Sequence, residues 1–400
     1  MRNSVAMFLL VGSSRAFQVI SRSRGGAAAI PSLRVSFLED LQKGFSKAFS
    51  TGATTNMSTS DESKYFTIGI TGSSGLVGTA LKDELSRRTS VNGKPVRIVN
   101  LKRGTAPEYL TQLPDNEPEI SVTWNPNAST AEEAMDMTVA AELDAIVHLA
   151  GENVATGKGP LGFLGIRPWS QEKKDEIMKS RTVPTAALAK VIAATPKPQS
   201  FLSASGIGAY GDNFIGNARE AVDESADTTG STGFLAEVSR QWEAATEAAK
   251  TGRNRVVNMR FGVVLSKQGG AMGKLYPIFF LGGGGNVGSG NQYFSFISAR
   301  DHARAIVHTL ETPTLFGPVN FCAPVPCTNA EFTKALGKGV SRPTILPFPG
   351  FAVKLLFGEM GEEMLLSGVR AVPGALEKSG FKFEHPTIDL AVQSALDEKI

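Results

Sequence analysis

Three glycines, Gly72, Gly75 and Gly78, stand at the spacing G-x-x-G-x-x-G inside FTIGITGSSGLVG, Phe66 to Gly78. The chemistry open to such a triplet is phosphate binding. The first glycine permits a tight turn, the second lets a pyrophosphate approach the backbone, and the third lets a helix pack closely on a strand. The apolar run Phe66–Thr71 predicts that strand. Leu76, Val77, Ala80, Leu81 and Leu85 recur on one face and predict a helix from about Leu76. Its N-terminus would offer uncommitted N–H groups and a partial positive charge to phosphates. The binding candidates on this turn are Gly72, Ser74, Gly75, Leu76, Val77 and Gly78. A strand-turn-helix without a ligand is the alternative, and the matched context weighs against it.

A dinucleotide places its adenosine ribose at the end of the second strand of such a unit. An acid there suits the 2′-hydroxyl of NAD, whereas a nearby arginine suits the 2′-phosphate of NADP. Val96–Leu101 reads as that strand, and it runs into Lys102-Arg103-Gly104 with no acid. Lys102 and Arg103 therefore favour NADP; a solvated pair of cations is the other reading. Ala145–Leu149 reads as a later strand, and Ala150 and Gly151 at its end complete the cofactor-binding candidates.

These residues need a sheet to hold them. Ile120–Trp124 reads as a short strand and Ser170–Thr195 as a long helix interrupted by Pro184. Gln199–Ala204 is a further strand, Phe234–Lys250 a helix with Phe234, Leu235, Val238, Trp242 and Ala245 on one face, and Arg255–Arg260 a sixth strand. Strands alternating with helices predict an α/β fold, a Rossmann-type doubly wound parallel sheet. The expected division is a leader and linker over 1–60, a dinucleotide-binding domain over 64–265, and a smaller C-terminal substrate-side and helical subdomain over 266–400.

The first 38 residues hold five arginines, no lysine and no acid, with frequent serine and alanine. That is transit-peptide composition. The apolar run Val5–Val11 is far below the ~20 residues of a membrane span. Ala16-Phe17 resembles the junction of bipartite plastid leaders. The expected destination is the plastid, with the mitochondrion as the alternative and a tail carrying no address as a third reading. Residues 1–60 carry seven of the 41 basic and two of the 38 acidic residues, so 34 and 36 remain and the rest of the chain is near neutral. No basic face is implied, which argues against nucleic acid. Cys322 and Cys327 are the only cysteines, and His148, His302, His308 and His385 the only histidines. No metal cluster and at most one disulfide follow, and a reducing compartment fits.

Several longer stretches carry a resemblance. They are ITGSSGLVG at the turn, HLAGENV from His148, Lys179-Ser-Arg-Thr182, LSASGIGAYG from Leu202, FLAEVSRQWEAA from Phe234 and MRFGVVLS from Met259. GSGNQYFSFI from Gly288, GPVNFCAPVPCTNAEF from Gly317 and LLFGEMGEEMLLSG from Leu355 extend it. From about Phe66 to Leu396 the chain resembles the atypical or extended short-chain dehydrogenases/reductases. More narrowly it resembles nucleoside-diphosphate-sugar epimerases with a C-terminal extension, whose chloroplast members are labelled cell-division-inhibitor-like. Thr156–Pro168 departs from the pattern as a local insertion before Trp169-Ser170.

The resemblance implies a Ser/Thr and a Tyr-x-x-x-Lys at the reaction centre, with tyrosine exchanging a proton. No tyrosine of this chain has lysine four residues on, and Phe234-Leu-Ala-Glu-Val238 occupies that place in the chain order. Ser205, after the fifth strand, matches the serine. Tyr210 is the nearest phenol: it either substitutes for the missing tyrosine or packs its ring and bonds a loop carbonyl. Ser205 and Tyr210 are thus the catalytic candidates. In relatives the glycine-rich stretch Gly282–Gly290 closes over a sugar nucleotide; a solvated connector is the other reading. Gln292–Ile297 alternates as a short strand and Asp301 starts a helix. Pro343–Phe351 and Leu355–Leu366 read as a helical subdomain or as a contact for a partner subunit, a homodimer being the expected assembly. Two functions follow: an NADP-binding oxidoreductase or epimerase acting on a small molecule such as a nucleotide sugar, or a non-catalytic NADP-binding regulator of an organelle.

Overall fold

The computed structural model of the protein describes residues 64–114, 116–155, 168–214 and 221–398, with side chains placed for all of these but 212–214. The leader and nearly all of the insertion lie outside the described residues. Seven strands form one sheet: β1 (Phe66–Thr71), β2 (Val96–Arg103), β3 (Glu119–Trp124), β4 (Ala145–His148), β5 (Ser200–Gly206), β6 (Arg255–Phe261) and β7 (Gly317–Phe321). Their order is β7-β6-β5-β4-β1-β2-β3, and every pairing is parallel. The strand order reverses at β1, between β4 and β2. A doubly wound sheet binds ligands in the crevice at such a switch point, outside the carboxyl ends of the strands.

Both faces of the sheet are covered, as a parallel sheet requires. On one face Val99, Val122, Ile146 and Phe201 pack against Leu188, Val191 and Ile192 of α2 (Gln171–Ala194). On the other, Ile68, Ile70, Val147 and Leu202 pack with Leu81 and Leu85 of α1 (Leu76–Ser86) and with Ile306 and Leu310 of α5 (Ala299–Glu311). Each such side chain contributes about 1.5–3 kcal/mol by leaving water. A third cluster joins α4 (Gly270–Phe280), α6 (Asn329–Gly339) and α8 (Ile388–Asp397) through Met272, Phe279, Phe332, Leu336 and Val392.

Several boundaries differ from the sequence reading. α2 is continuous through Pro184. Proline removes one backbone donor, and the hydroxyl of Thr185 donates to the Arg181 carbonyl at 2.6 Å, supplying a bond within the disturbed turn. α3 (Phe234–Ala244) is followed by a separate short turn, Glu247–Ala249, so the helix expected to reach Lys250 ends earlier. Gln292–Ile297 resolves into two short strands, Tyr293–Phe294 and Phe296–Ser298. The helix expected to start at Asp301 begins at Ala299, with Ser298 capping the Asp301 N–H. Two shifts bear on the site. β2 extends two residues further, so Lys102 and Arg103 end the strand itself, and β5 extends to Gly206, so Ser205 lies within it.

Candidate dinucleotide site

β1 ends at Thr71 and the chain turns through Gly72, whose φ of 66° is in the left-handed region that favours glycine. Gly75 donates its N–H to the Gly72 carbonyl at 3.0 Å and is the N-cap of α1. It brings no side-chain cap, and the first turn of α1 holds no acid. That leaves the positive end of the helix open to an anion. A Cβ on Gly78 would stand 2.3 Å from the Gly72 carbonyl oxygen, so only glycine lets the helix come this close. The turn thus shows each of the three glycine requirements of a pyrophosphate cradle. Ser74, Leu76 and Val77 lie on the same turn and opening helix.

Across the crevice, Thr71 ties β1 to the end of β4. Its Oγ1 accepts the N–H groups of Leu149 (3.1 Å) and Ala150 (3.3 Å) and lies 2.7 Å from His148 Nδ1. With two donors already on the oxygen, the hydroxyl hydrogen is left for Nδ1 of a neutral ring. Burial holds His148 neutral by pushing its pKa down to about 3. The loop that follows, Ala150–Glu152, is anchored on α2. Glu152 donates its N–H to Ser180 Oγ at 3.1 Å, and its carbonyl accepts from Arg181 at 2.8 Å. Its carboxylate accepts from Lys173 at 2.8 Å. Burial alone would lower the Lys173 pKa, but its hydrogen bonds to Glu152 and Glu176 outweigh it and the net shift is upward. The Arg181 guanidinium also backs Gly151, and burial lowers it to about 10. This clamp escaped sequence reasoning; its one visible trace is the recurrence of Lys173, Ile177 and Arg181 at four-residue spacing.

Lys102 and Arg103 end β2, the strand beside β1, where Leu101 pairs with Thr71. Both side chains are exposed, and neither forms an ion pair with a described residue. Two uncommitted cations one strand from the glycine turn suit an additional phosphate on the ribose. A cleft of about 870 Å³ opens beside the turn, with Ser74, Gly75 and Leu76 on one wall and Gln268–Gly270 and Arg300 on others. Its size falls within the range of small-molecule sites.

The reaction-side candidates are held inside. Ser205 is 3 % exposed, and its hydroxyl donates to Glu243 Oε1 at 2.8 Å. The same carboxylate takes a two-pronged bond from Arg260, at 2.8 and 2.9 Å. Tyr210, on the 3₁₀ turn Ile207–Phe214, is fully buried. Its hydroxyl lies 3.0 Å from the Asp223 carbonyl and 2.9 Å from Asn320 Oδ1, and burial pushes its pKa up to about 12. Of the two roles open to Tyr210, this geometry fits packing with a carbonyl bond. Phe234, at the start of α3, meets the Trp169 ring edge-on at 4.8 Å with Lys174 Nζ 5.1 Å from its centroid. Val238 is buried one turn on. Ser205 and Tyr210 both reach the Arg260 neighbourhood, the tyrosine ring lying 5.1 Å from that guanidinium. Neither lines the 870 Å³ cleft.

The glycine-rich stretch Gly282–Gly290 forms no regular element and is pinned to the segment before α7 (Gly350–Gly361). Leu346 N–H donates to the Gly284 carbonyl at 3.1 Å and Phe348 N–H to that of Asn286 at 2.8 Å. A Cβ on Gly285 would stand 2.0 Å from the Leu346 carbonyl oxygen, a close approach that requires glycine. Among the described residues there is no group of three metal-ligating side chains, and no helix is long and apolar enough to cross a membrane.

Known proteins with this arrangement place it. The profile of the NAD dependent epimerase/dehydratase family matches residues 68–320, and that of a domain of unknown function, DUF1731, matches residues 348–395. An epimerase family protein of Mycobacterium tuberculosis is 39% identical over 325 residues, covering 81% of this chain and 96% of that protein. The chloroplastic SDR39U1 homolog of Arabidopsis thaliana is 31% identical over 341 residues, 84% of this chain and 88% of that one. The crystal structure of human epimerase family protein SDR39U1 (isoform 2) with NADPH superposes with a TM-score of 0.66 at 30% identity, covering 83% of this chain and 100% of that one. The chain belongs to the NAD dependent epimerase/dehydratase family, and its C-terminal residues 348–395 match the DUF1731 domain.

Proposed function

We propose that this protein binds NADP(H) across the β1–β4 crevice and works chiefly as a dinucleotide-bound protein, with at most slow hydride chemistry. The glycine turn carries the reading: an uncapped helix N-terminus, a left-handed Gly72 and a Gly78 that no side chain can replace. Gly72, Ser74, Gly75, Leu76, Val77 and Gly78 would hold the pyrophosphate. Ala150 and Gly151 would face it from β4, and Lys102 and Arg103 would hold the 2′-phosphate. The human relative solved with NADPH supports this choice of cofactor. When bound, the dinucleotide supplies a hydride donor or acceptor.

The apolar residues at Phe234 and Val238 argue against fast proton transfer. A positioned acid or base contributes about 10²–10⁴-fold, and Ser205 and Tyr210 spend their hydroxyls on Glu243 and on Asn320 and Asp223. In this reading both residues serve the buried packing around Arg260. A slow epimerase or reductase acting on a nucleotide-linked sugar is the second reading, favoured by the 870 Å³ cleft beside the turn. The transit-peptide composition of the first 38 residues supports a plastid location, with the mitochondrion as the alternative.

The deciding experiment follows NADPH consumption and sugar epimerisation with uridine-diphosphate sugars and a generic aldehyde. The expectation is negligible turnover by the wild type, and increased aldehyde reduction by the double variant Phe234→Tyr with Val238→Lys. Brisk wild-type turnover of a nucleotide sugar, unchanged in Ser205→Ala, would overturn both the reading and the placement of the reaction centre.

A further inference from the structure

Arg181, on α2, is a buried cation without a carboxylate. It is 9% exposed, and among the described residues no acid lies within ion-pair distance of it. The other two buried arginines are matched: Arg97 pairs with Glu142 and Arg260 with Glu243. The donors of Arg181 go to uncharged oxygens instead, the Ile177 carbonyl at 3.0 Å, Ser180 Oγ at 3.3 Å and the Glu152 carbonyl at 2.8 Å. The Glu152 carboxylate is committed to Lys173. Burial lowers the Arg181 pKa to about 10, and the charge on Glu152 offsets only part of that. The Trp242 ring, 5.0 Å from the guanidinium, gives it a weak cation–π partner. Holding a loop carbonyl needs a donor, which an uncharged side chain could supply. A buried charge is costly unless it meets a counter-charge.

The place of this charge says what it faces. A Cβ on Gly72 would stand 3.1 Å from the Ala150 nitrogen, so the glycine turn touches the end of β4 directly. One residue on, a Cβ on Gly151 would stand 3.5 Å from the Arg181 guanidinium carbon, and the nearest atoms it would meet all belong to Arg181. Gly151 itself is exposed. We propose that Arg181 is the positive charge for the dinucleotide's pyrophosphate, a positioning residue that acts through the Ala150–Gly151 backbone. This rests on the reading that NADP(H) occupies the β1–β4 crevice. A pyrophosphate on the glycine turn is the counter-charge that the protein itself does not bring to Arg181. Water and salt screen a buried cation much less than a surface one. The α1 N-terminus and Arg181 then serve the pyrophosphate from two sides, and Lys102 and Arg103 serve the 2′-phosphate.

Calorimetric titration of the full-length protein with NADPH and with adenosine 2′-monophosphate, which has the ribose phosphate but no pyrophosphate, tests this. Arg181→Met, which keeps the length and removes the charge, should weaken NADPH binding about tenfold or more, a difference of about 1.4 kcal/mol. Its affinity for adenosine 2′-monophosphate should not change. Arg181→Lys, which keeps the charge and loses the fork, should weaken NADPH less than about threefold. Urea denaturation without ligand should find Arg181→Met as stable as the wild type or more so, because an unmatched buried charge is gone. If Arg181→Met fails to fold, Arg181→Gln reads the same quantities. Unchanged NADPH affinity on loss of the charge overturns the proposal. Equal losses in the Lys and Met variants, or an equal loss for adenosine 2′-monophosphate, reduce Arg181 to a loop anchor and overturn it as well. A wild type that binds no NADPH overturns the cofactor reading and this inference with it, whereas the other outcomes leave that reading standing.

Discussion

The carboxylate of Glu363 caps the helix that begins at Phe234: Oε1 accepts the Phe234 N–H at 2.7 Å and Oε2 the Leu235 N–H at 2.9 Å. Gly233, the N-cap, has a φ of 98° and no side chain to do this work. The acid comes from the C-terminal extension, from the turn Glu362–Leu366 that follows α7. The extension therefore sets the start of α3. Glu363→Ala should cost about 1 kcal/mol, the usual worth of a cap, and Glu363→Gln less. Chemical denaturation measures it. Equal stability of wild type and Glu363→Ala would show that the cap is idle.

His302 is buried between Phe261 (ring centroids 4.2 Å) and Phe321 (5.3 Å), and neither ring nitrogen has a hydrogen-bond partner among the described residues. Burial pushes its pKa down to about 3, from 6.5. An unfolded chain then binds a proton that the folded one refuses. Stability is full above pH 6.5 and falls as pH drops toward 3, by about 1.4 kcal/mol per pH unit for one such group. His302→Leu should flatten that slope, and at pH 7 it should be neutral or stabilising because two unsatisfied polar atoms vanish. Urea midpoints across this pH range decide it; an unaltered slope would contradict the account. His148 should contribute to the residual slope for the same reason, its pKa being about 3 as well.

Glu243 holds both Ser205 and Arg260. The side chain of Arg260 is only 4% exposed, so removing its carboxylate strands a buried charge. Glu243→Ala should cost about 3–5 kcal/mol, and Ser205→Ala only about 1 kcal/mol. Denaturation midpoints that reverse this order would mean that Ser205, rather than Glu243, organises the cluster.

A fluorescent reporter fused to residues 1–60 should enter the plastid, or the mitochondrion as the second destination. A diffuse cytosolic signal would reject the targeting reading, and Met57 would then be the natural start to test.

What could be read from the sequence was local. The glycine turn is legible because each glycine answers a steric need within seven residues. The β-strand runs at Phe66, Val96 and Ala145 show themselves as short, mostly apolar stretches rich in Ile and Val, which parallel strands covered on both faces produce. β7 was not recognised as a strand: it opens with Gly317-Pro318, a poor strand start, and is completed by pairing with β6. The partners of the candidate residues were hidden by distance along the chain. Thr71 and His148 are 77 residues apart, Ser205 and Glu243 are 38 apart, and Phe234 and Glu363 are 129 apart. Nothing in a local pattern announces that a hydroxyl at Ser205 will be consumed by an acid, whereas Tyr210 packing with a carbonyl bond is one of the two readings the sequence offers.

Isothermal titration of the full-length protein with NADPH and with NADH tests the central claim most directly. One NADPH should bind per chain, at least tenfold more tightly than NADH, a difference of about 1.4 kcal/mol. Lys102→Ala with Arg103→Ala, both at exposed positions, should erase that preference while leaving NADH binding in place. Absence of binding by either dinucleotide, or a preference for NADPH that survives loss of both cations, would contradict it.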